Sequence, residues 1–233
     1  MSIYQQLNLD VPFSDFLAQG ACCGATGNTD GALNGSAVTN GNGALMSVQI
    51  KVFQCPSDNK ALRIQGASSY YAPGGSLTGA RTNYDFITNR NLSGHTPAGG
   101  CNMYKREPNT IRYMFGDNST TKFVEVTDGL SNTFMIGETV HEVRIGSAPA
   151  WGYRGWVMTG VDPQYQGINS WGTGAIFKRG RLDSWGQAGS QHPGGCHFAM
   201  GDASVRFVRE TNSTSALQQT ARMADSVTPP NLD

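Results

Sequence analysis

Glycine fills 30 of the 233 positions, and that density restricts the chain to short elements joined by many turns. Gly takes positive φ without strain but weakens the interiors of helices and strands. The plentiful Asn, Ser and Thr beside it bond their own backbone in turns. Charged residues supply only 15% of the chain, against roughly 25% in an average soluble domain. The expected architecture is therefore α+β, rich in strands and loops and poor in helix. It forms one globular domain over residues 1–233, long enough to bury its own core.

The 17 basic and 17 acidic side chains cancel, and the basic ones are scattered. A nucleic-acid partner needs a row of Lys and Arg against its phosphates, so that class is excluded. No apolar run approaches the ~18 residues of a membrane span. No G-x-S-x-G elbow, P-loop, H-E-x-x-H or dinucleotide fingerprint occurs either.

Periodicity places the elements. Ile3 to Leu9 has the spacing of a helix tail with only Ser2 to cap it, as in a helix cut from a longer one. Residues 20–43 and 88–110 read as loops. Val48 to Phe53, Ser68 to Ala72, Lys122 to Val126 and Thr133 to Val140 read as strands. Cys196 to Met200 and Ser204 to Val208 alternate on either side of Gly201-Asp202-Ala203, which predicts a β-hairpin. A short helix follows between Ser213 and Asp225.

Several segments then fall into a recognisable order. They are Tyr4 to Asn8, Phe53-Gln54-Cys55-Pro56-Ser57-Asp58, Val126-Thr127-Asp128-Gly129-Leu130-Ser131-Asn132-Thr133, Gly137-Glu138, and Ser190-Gln191-His192-Pro193-Gly194-Gly195 leading to Asp202. Together they resemble the prepilin-like family of unknown function that is abundant in planctomycetes, with a pseudopilin-like N-terminus and a C-terminal His-x9-Asp-Gly signature. Here the signature's last glycine is Ala203, which puts in question any turn that needs positive φ there. The resemblance implies a pilin-like fold, an N-terminal helix packed on an antiparallel sheet, preceded by a leader and membrane helix that lie outside this chain. It also implies an extracytoplasmic place, at the cell surface, in the periplasm or secreted. Envelope or filament proteins would be the partners, with self-assembly or polysaccharide binding as further roles. The membrane would be met only through the missing helix.

On that basis the chain is a structural or binding module of the cell envelope. The alternative is a secreted polysaccharide lyase or hydrolase, for which His192, Glu138 and His141 are the catalytic candidates and His197 a further proton carrier. Two metal arrangements suggest themselves. His192 with Asp202 has the chemistry of a metal ligand or base pair, though a loop-bonded His and a turn-forming Asp explain the same residues. Asp128, Ser131 and Asn132, with Glu138 further on, offer oxygen to calcium, as pseudopilin loops do, or make an Asx-type turn between strands. Trp151, Tyr153, Trp156, Trp171 and Trp185 make either an aromatic platform for a glycan or partner, or packing for the loops. Of the cysteines Cys22, Cys23, Cys55, Cys101 and Cys196, a loop residue is expected to pair in a disulfide with one of the more ordered Cys55 and Cys196.

Overall fold

The computed structural model describes residues 2–15, 35–58, 60, 62–64, 71–89, 108–116, 119–153 and 160–232. The hairpin expected around Asp202 is its clearest element. Strand β5 (Gly195–Met200) pairs antiparallel with β6 (Val205–Arg209). Along β5, Cys196, Phe198 and Met200 are fully buried, while His197 and Ala199 between them are partly exposed. The period of two assigns one face to the core and one to water.

β5 lies inside a four-stranded antiparallel sheet with β1 (Tyr84–Phe86) and β2 (Phe134–Glu138), in the order β1-β2-β5-β6. A bulge in β2 decides which side chains share a face. Phe134 opposes Met200, yet Ile136 opposes Ala199, so Met135 is the extra residue. Phe134 therefore packs in the core, its ring stacked on Phe198 at 4.3 Å. Ile136 and Glu138, of the same parity in the sequence, face the other way. Helix α4 (Thr214–Ala221) closes the core with Leu217 and Ala221, and its N-terminus is capped by the Ser213 hydroxyl, which accepts from the Ala216 N–H. A two-stranded parallel pair, β3 (Val143–Ile145) with β4 (Leu182–Ser184), follows β2. Smaller apolar clusters form around Met46, Ile64, Ala150 and Tyr153, and around Met114, Val126 and Met223.

The mixed α+β class fits this architecture, but the helix on the sheet is not the expected one. The N-terminal helix α1 (Ile3–Gln6) is one turn long and buries none of its residues. C-terminal α4 takes the place on the sheet. The physical reason is surface: Leu217 and Ala221 sit four apart on one helical face, whereas α1 offers a single turn. Two expected strands are also absent. Lys51–Phe53 and Phe123–Glu125 are 3-10 turns, with Val52 76% and Val124 81% exposed. The Phe53 carbonyl accepts the Asn83 N–H, and the Thr82 hydroxyl, 3.2 Å from it, makes its shorter bond of 2.6 Å to the Tyr84 carbonyl. Within the glycine-rich stretch, α2 (Ala37–Asn40) and α3 (Asn42–Leu45) replace part of the expected loop. Asn42 ties them to the N-terminal segment through the Asn8 main chain. Residues 16–34 and 90–107 lie outside the described residues, as do 68–70 of the expected Ser68–Ala72 strand. No helix among the described residues is long and apolar enough to cross a membrane.

Candidate metal centre

On the open face of the sheet, register sets Tyr84 opposite Glu138, and His197 opposite Phe207. With Gly137 paired to Phe198, Glu138 comes beside His197, and one cross-strand row runs Tyr84, Glu138, His197, Phe207. The Glu138 Oε2 accepts the His197 main-chain N–H at 2.6 Å and lies 3.2 Å from its Nδ1. The His197 ring meets Phe207 edge-on at 5.1 Å, which limits its rotation.

His192 arrives from a loop fastened to the end of β2. The Thr139 hydroxyl donates to the Gln187 carbonyl, and the Gly189 N–H donates to the Glu138 carbonyl, both at 3.0 Å. The Ser190 hydroxyl then donates to the Gly195 carbonyl and accepts from the His192 N–H, closing the turn. The two glycines of His192-Pro193-Gly194-Gly195 have separate reasons. Gly194 takes φ +83°, and a Cβ on Gly195 would stand 2.1 Å from the Val208 carbonyl oxygen. His192 Nε2 ends 3.8 Å from Glu138 Oε1, with its ring 5.3 Å from that of His197.

One atom from each of Glu138, His192 and His197 lies within 4.8 Å of the others. In a tetrahedral zinc site with bonds of about 2.0–2.1 Å, neighbouring donors stand about 3.3–3.5 Å apart. The two Glu–His separations run to different oxygens, 3.2 Å from His197 to Oε2 and 3.8 Å from His192 to Oε1, so the carboxylate would bridge the two imidazoles with both oxygens or turn to offer one, and the half-exposed rings would draw in around the ion. The donor set also fits. Two imidazoles and a carboxylate suit zinc and its transition-metal neighbours, whereas calcium asks for six to eight oxygens. The Glu138 side chain is only 5% exposed, so its charge needs a positive partner, while His192 and His197 remain 36% and 41% exposed. Tyr84 borders the row; burial first, then Cys55 and Glu138, push its phenol up to about 12. Behind the row, burial and then Glu138 hold the Cys196 thiol well above its ordinary range.

The remaining candidates fall elsewhere. Asp202 does not meet His192. The six residues of β5 separate them by about 20 Å, and Asp202 Oδ1 instead accepts from the Ser204 N–H and hydroxyl in the hairpin turn. Those bonds, the hydroxyl first, lower its pKa. Ala203 does take positive φ, +66°, despite its Cβ. Both carboxylate oxygens of Asp128 are spent on the Asp225 and Ser226 N–H groups, and Asn132 donates to the Asp128 carbonyl. The pair pins the C-terminal segment and turns the chain. His141 is 1% exposed and cannot touch a substrate. Among the described residues the aromatic candidates do not form a shared platform. Trp185 is buried, the Tyr153 hydroxyl donates to the Tyr71 carbonyl from inside a core cluster, and Trp151 donates to Val48. Trp171 is half-buried against Gly189, and Trp156 lies outside the described residues. Cys55 and Cys196 are buried free thiols, which removes both ordered partners of the expected disulfide, while Cys22, Cys23 and Cys101 lie outside the described residues.

His197 is the candidate donor that the sequence does not assign to a metal, and its signal is the alternation of β5. It occupies a polar phase between two core residues.

A family model described as protein of unknown function (DUF1559) matches the chain over residues 1–214. The chain belongs to that family. No curated protein and no solved structure matches it. Within this DUF1559 chain the Gly137-Glu138 and Ser190-to-Gly195 motifs supply two of the three donors and the turn that brings them together.

Proposed function

We propose that this chain is an exported, pilin-like binding module of the cell envelope that takes its ligand at a divalent metal held by Glu138, His192 and His197. The observation that carries the binding centre is the convergence of one buried carboxylate from β2 and two half-exposed imidazoles from β5 and the turn that leads into it. Zinc is the ion that this donor set suits, and three protein donors leave a position for an outside ligand. The envelope placement rests on the resemblance of the ordered motifs to prepilin-like proteins, and it makes the module a contact between the cell surface and its surroundings. Calcium is set aside for this centre on donor chemistry.

Chelator-treated protein titrated with Zn2+ in a calorimeter should bind one equivalent. His192→Ala and Glu138→Gln should each weaken binding by about a hundredfold or more, because each removes a donor. Wild-type affinity in both variants would sink the metal reading. Fractionation of cells producing the full natural gene product should find it in the envelope, and recovery in the cytoplasm would sink the placement.

A further inference from the structure

The donor row is not isolated on its face of the sheet. One pleat further along, register aligns Phe86, Ile136, Ala199 and Val205 into a second cross-strand row. Successive rows on one face are separated by about 7 Å. The second row is apolar and open: Phe86 is 49% and Val205 65% exposed, with Ile136 and Ala199 half-buried between them. Phe115 stacks on Phe86 at 4.3 Å and steadies its ring. On the opposite side of the donor row, Gly195 pairs with Arg209, whose side chain is exposed.

This ordering gives the face a polarity. A cation held by the donor row would stand between a guanidinium on one side and an apolar strip on the other. An anionic donor entering the metal's outward position is attracted by both charges. Anything attached to that donor, and about one row long, is laid over Phe86, Ile136, Ala199 and Val205. A sugar acid matches the first half of this arrangement but presents hydroxyls to the second.

We infer that the ligand of this centre is a carboxylate carried on an apolar body, with the carboxylate on the metal beside Arg209 and the body on the Phe86–Val205 row. The inference rests on the metal reading given above and deepens it. Cobalt provides the test, because Co2+ substitutes for zinc and its visible d–d bands respond to a new ligand. Co2+-loaded protein is titrated with 3-phenylpropionate, acetate and galacturonate. The expected result is a band shift with 3-phenylpropionate at about tenfold lower concentration than with acetate, from apolar burial. Galacturonate should do no better than acetate. Val205→Ser and Phe86→Ala, both at exposed positions, should shrink the tenfold difference while leaving the acetate response alone, and Arg209→Gln should weaken both acids several-fold. Equal responses to all three acids, or tighter binding of galacturonate, overturn the apolar assignment. Co2+ bands that no acid alters overturn the carboxylate assignment and leave the metal centre standing. If no Co2+ bands form and calorimetry finds no Zn2+ uptake, the metal reading fails and this inference falls with it.

Discussion

Glu138 and Asp58 are both buried carboxylates, each 4–5% exposed, and each accepts the main-chain N–H of a histidine. Glu138 takes that of His197 at 2.6 Å, and Asp58 takes that of His141 at 2.7 Å. The two clusters are neighbours in sequence, with Glu138 and His141 only Thr139 and Val140 apart. Their surroundings separate them. Around Glu138 the imidazoles reach water and their nitrogens converge on the carboxylate. Around Asp58 everything is sealed: Asn83 donates to Asp58 at 2.9 Å, and Arg81 donates to the His141 carbonyl at 2.8 Å. Neither ring nitrogen of His141 finds a partner of good geometry among the described residues. The same residue types thus make a candidate ligand site where the imidazole is wet and a structural post where it is dry.

The sealed cluster should be the more costly to disturb. Asp58→Ala leaves the buried His141 N–H without its acceptor and takes from the Asn83 amide one of its two acceptors, the Thr139 carbonyl being the other; it should destabilise the fold by about 2 kcal/mol in urea unfolding. A loss under 1 kcal/mol would mean that Asp58 is not the post described. The open cluster should show its effect through ligand linkage. Zn2+ at a hundredfold excess over its dissociation constant should stabilise the wild type by about 2.7 kcal/mol. Glu138→Gln should abolish that gain while changing metal-free stability much less than Asp58→Ala does. If zinc stabilises Glu138→Gln and wild type equally, the contrast between the clusters collapses.

A third difference concerns pH. Burial lowers the pKa of His141, with Arg81 adding to the effect and Asp58 opposing it. As pH falls below the unfolded value of about 6.5, the unfolded chain takes up this proton before the folded one. The stability contribution of His141 is therefore complete above that value and is lost as pH falls toward the lower folded pKa. His141→Phe, which keeps a ring and removes both nitrogens, should flatten the acid side of the stability profile. An unchanged acid slope in metal-free protein would show that His141 is not the group responsible. The smallest effect separates frame from site. Ala203→Gly should relieve the positive φ in the hairpin turn and stabilise the fold by about 0.5 kcal/mol, with zinc affinity unchanged. A change in affinity would tie the turn to the centre, whose His197 lies about 10 Å back along β5.

The legible parts of this protein were those whose pattern is local. Cys196 to Val208 alternates cleanly around a Gly-Asp turn, and the hairpin forms where the alternation puts it. Thr133 to Val140 likewise contains β2, and Ser213 to Asp225 contains α4. Val48 to Phe53 and Lys122 to Val126 carry similar alternation over five or six residues and became 3-10 turns. A strand needs a neighbour with free backbone groups, and the Asn83 N–H already engages the carbonyl of Phe53. The site was legible only in pieces. Glu138 and His192 stand out singly, but the signature spacing pairs His192 with Asp202, whereas the fold carries Asp202 to the far end of β5.

By itself the sequence determined the loop-rich α+β composition, the hairpin, the C-terminal helix and the family motifs, because turn chemistry and side-chain period act within a few residues. Tertiary structure decided that Glu138 meets His192 and His197. A bulge at Met135 turned Ile136 and Glu138 away from the core that holds Phe134, and main-chain bonds from the Gln187–Gly189 loop then brought His192 alongside. Both choices depend on contacts between segments 48 or more residues apart, where no local period carries information.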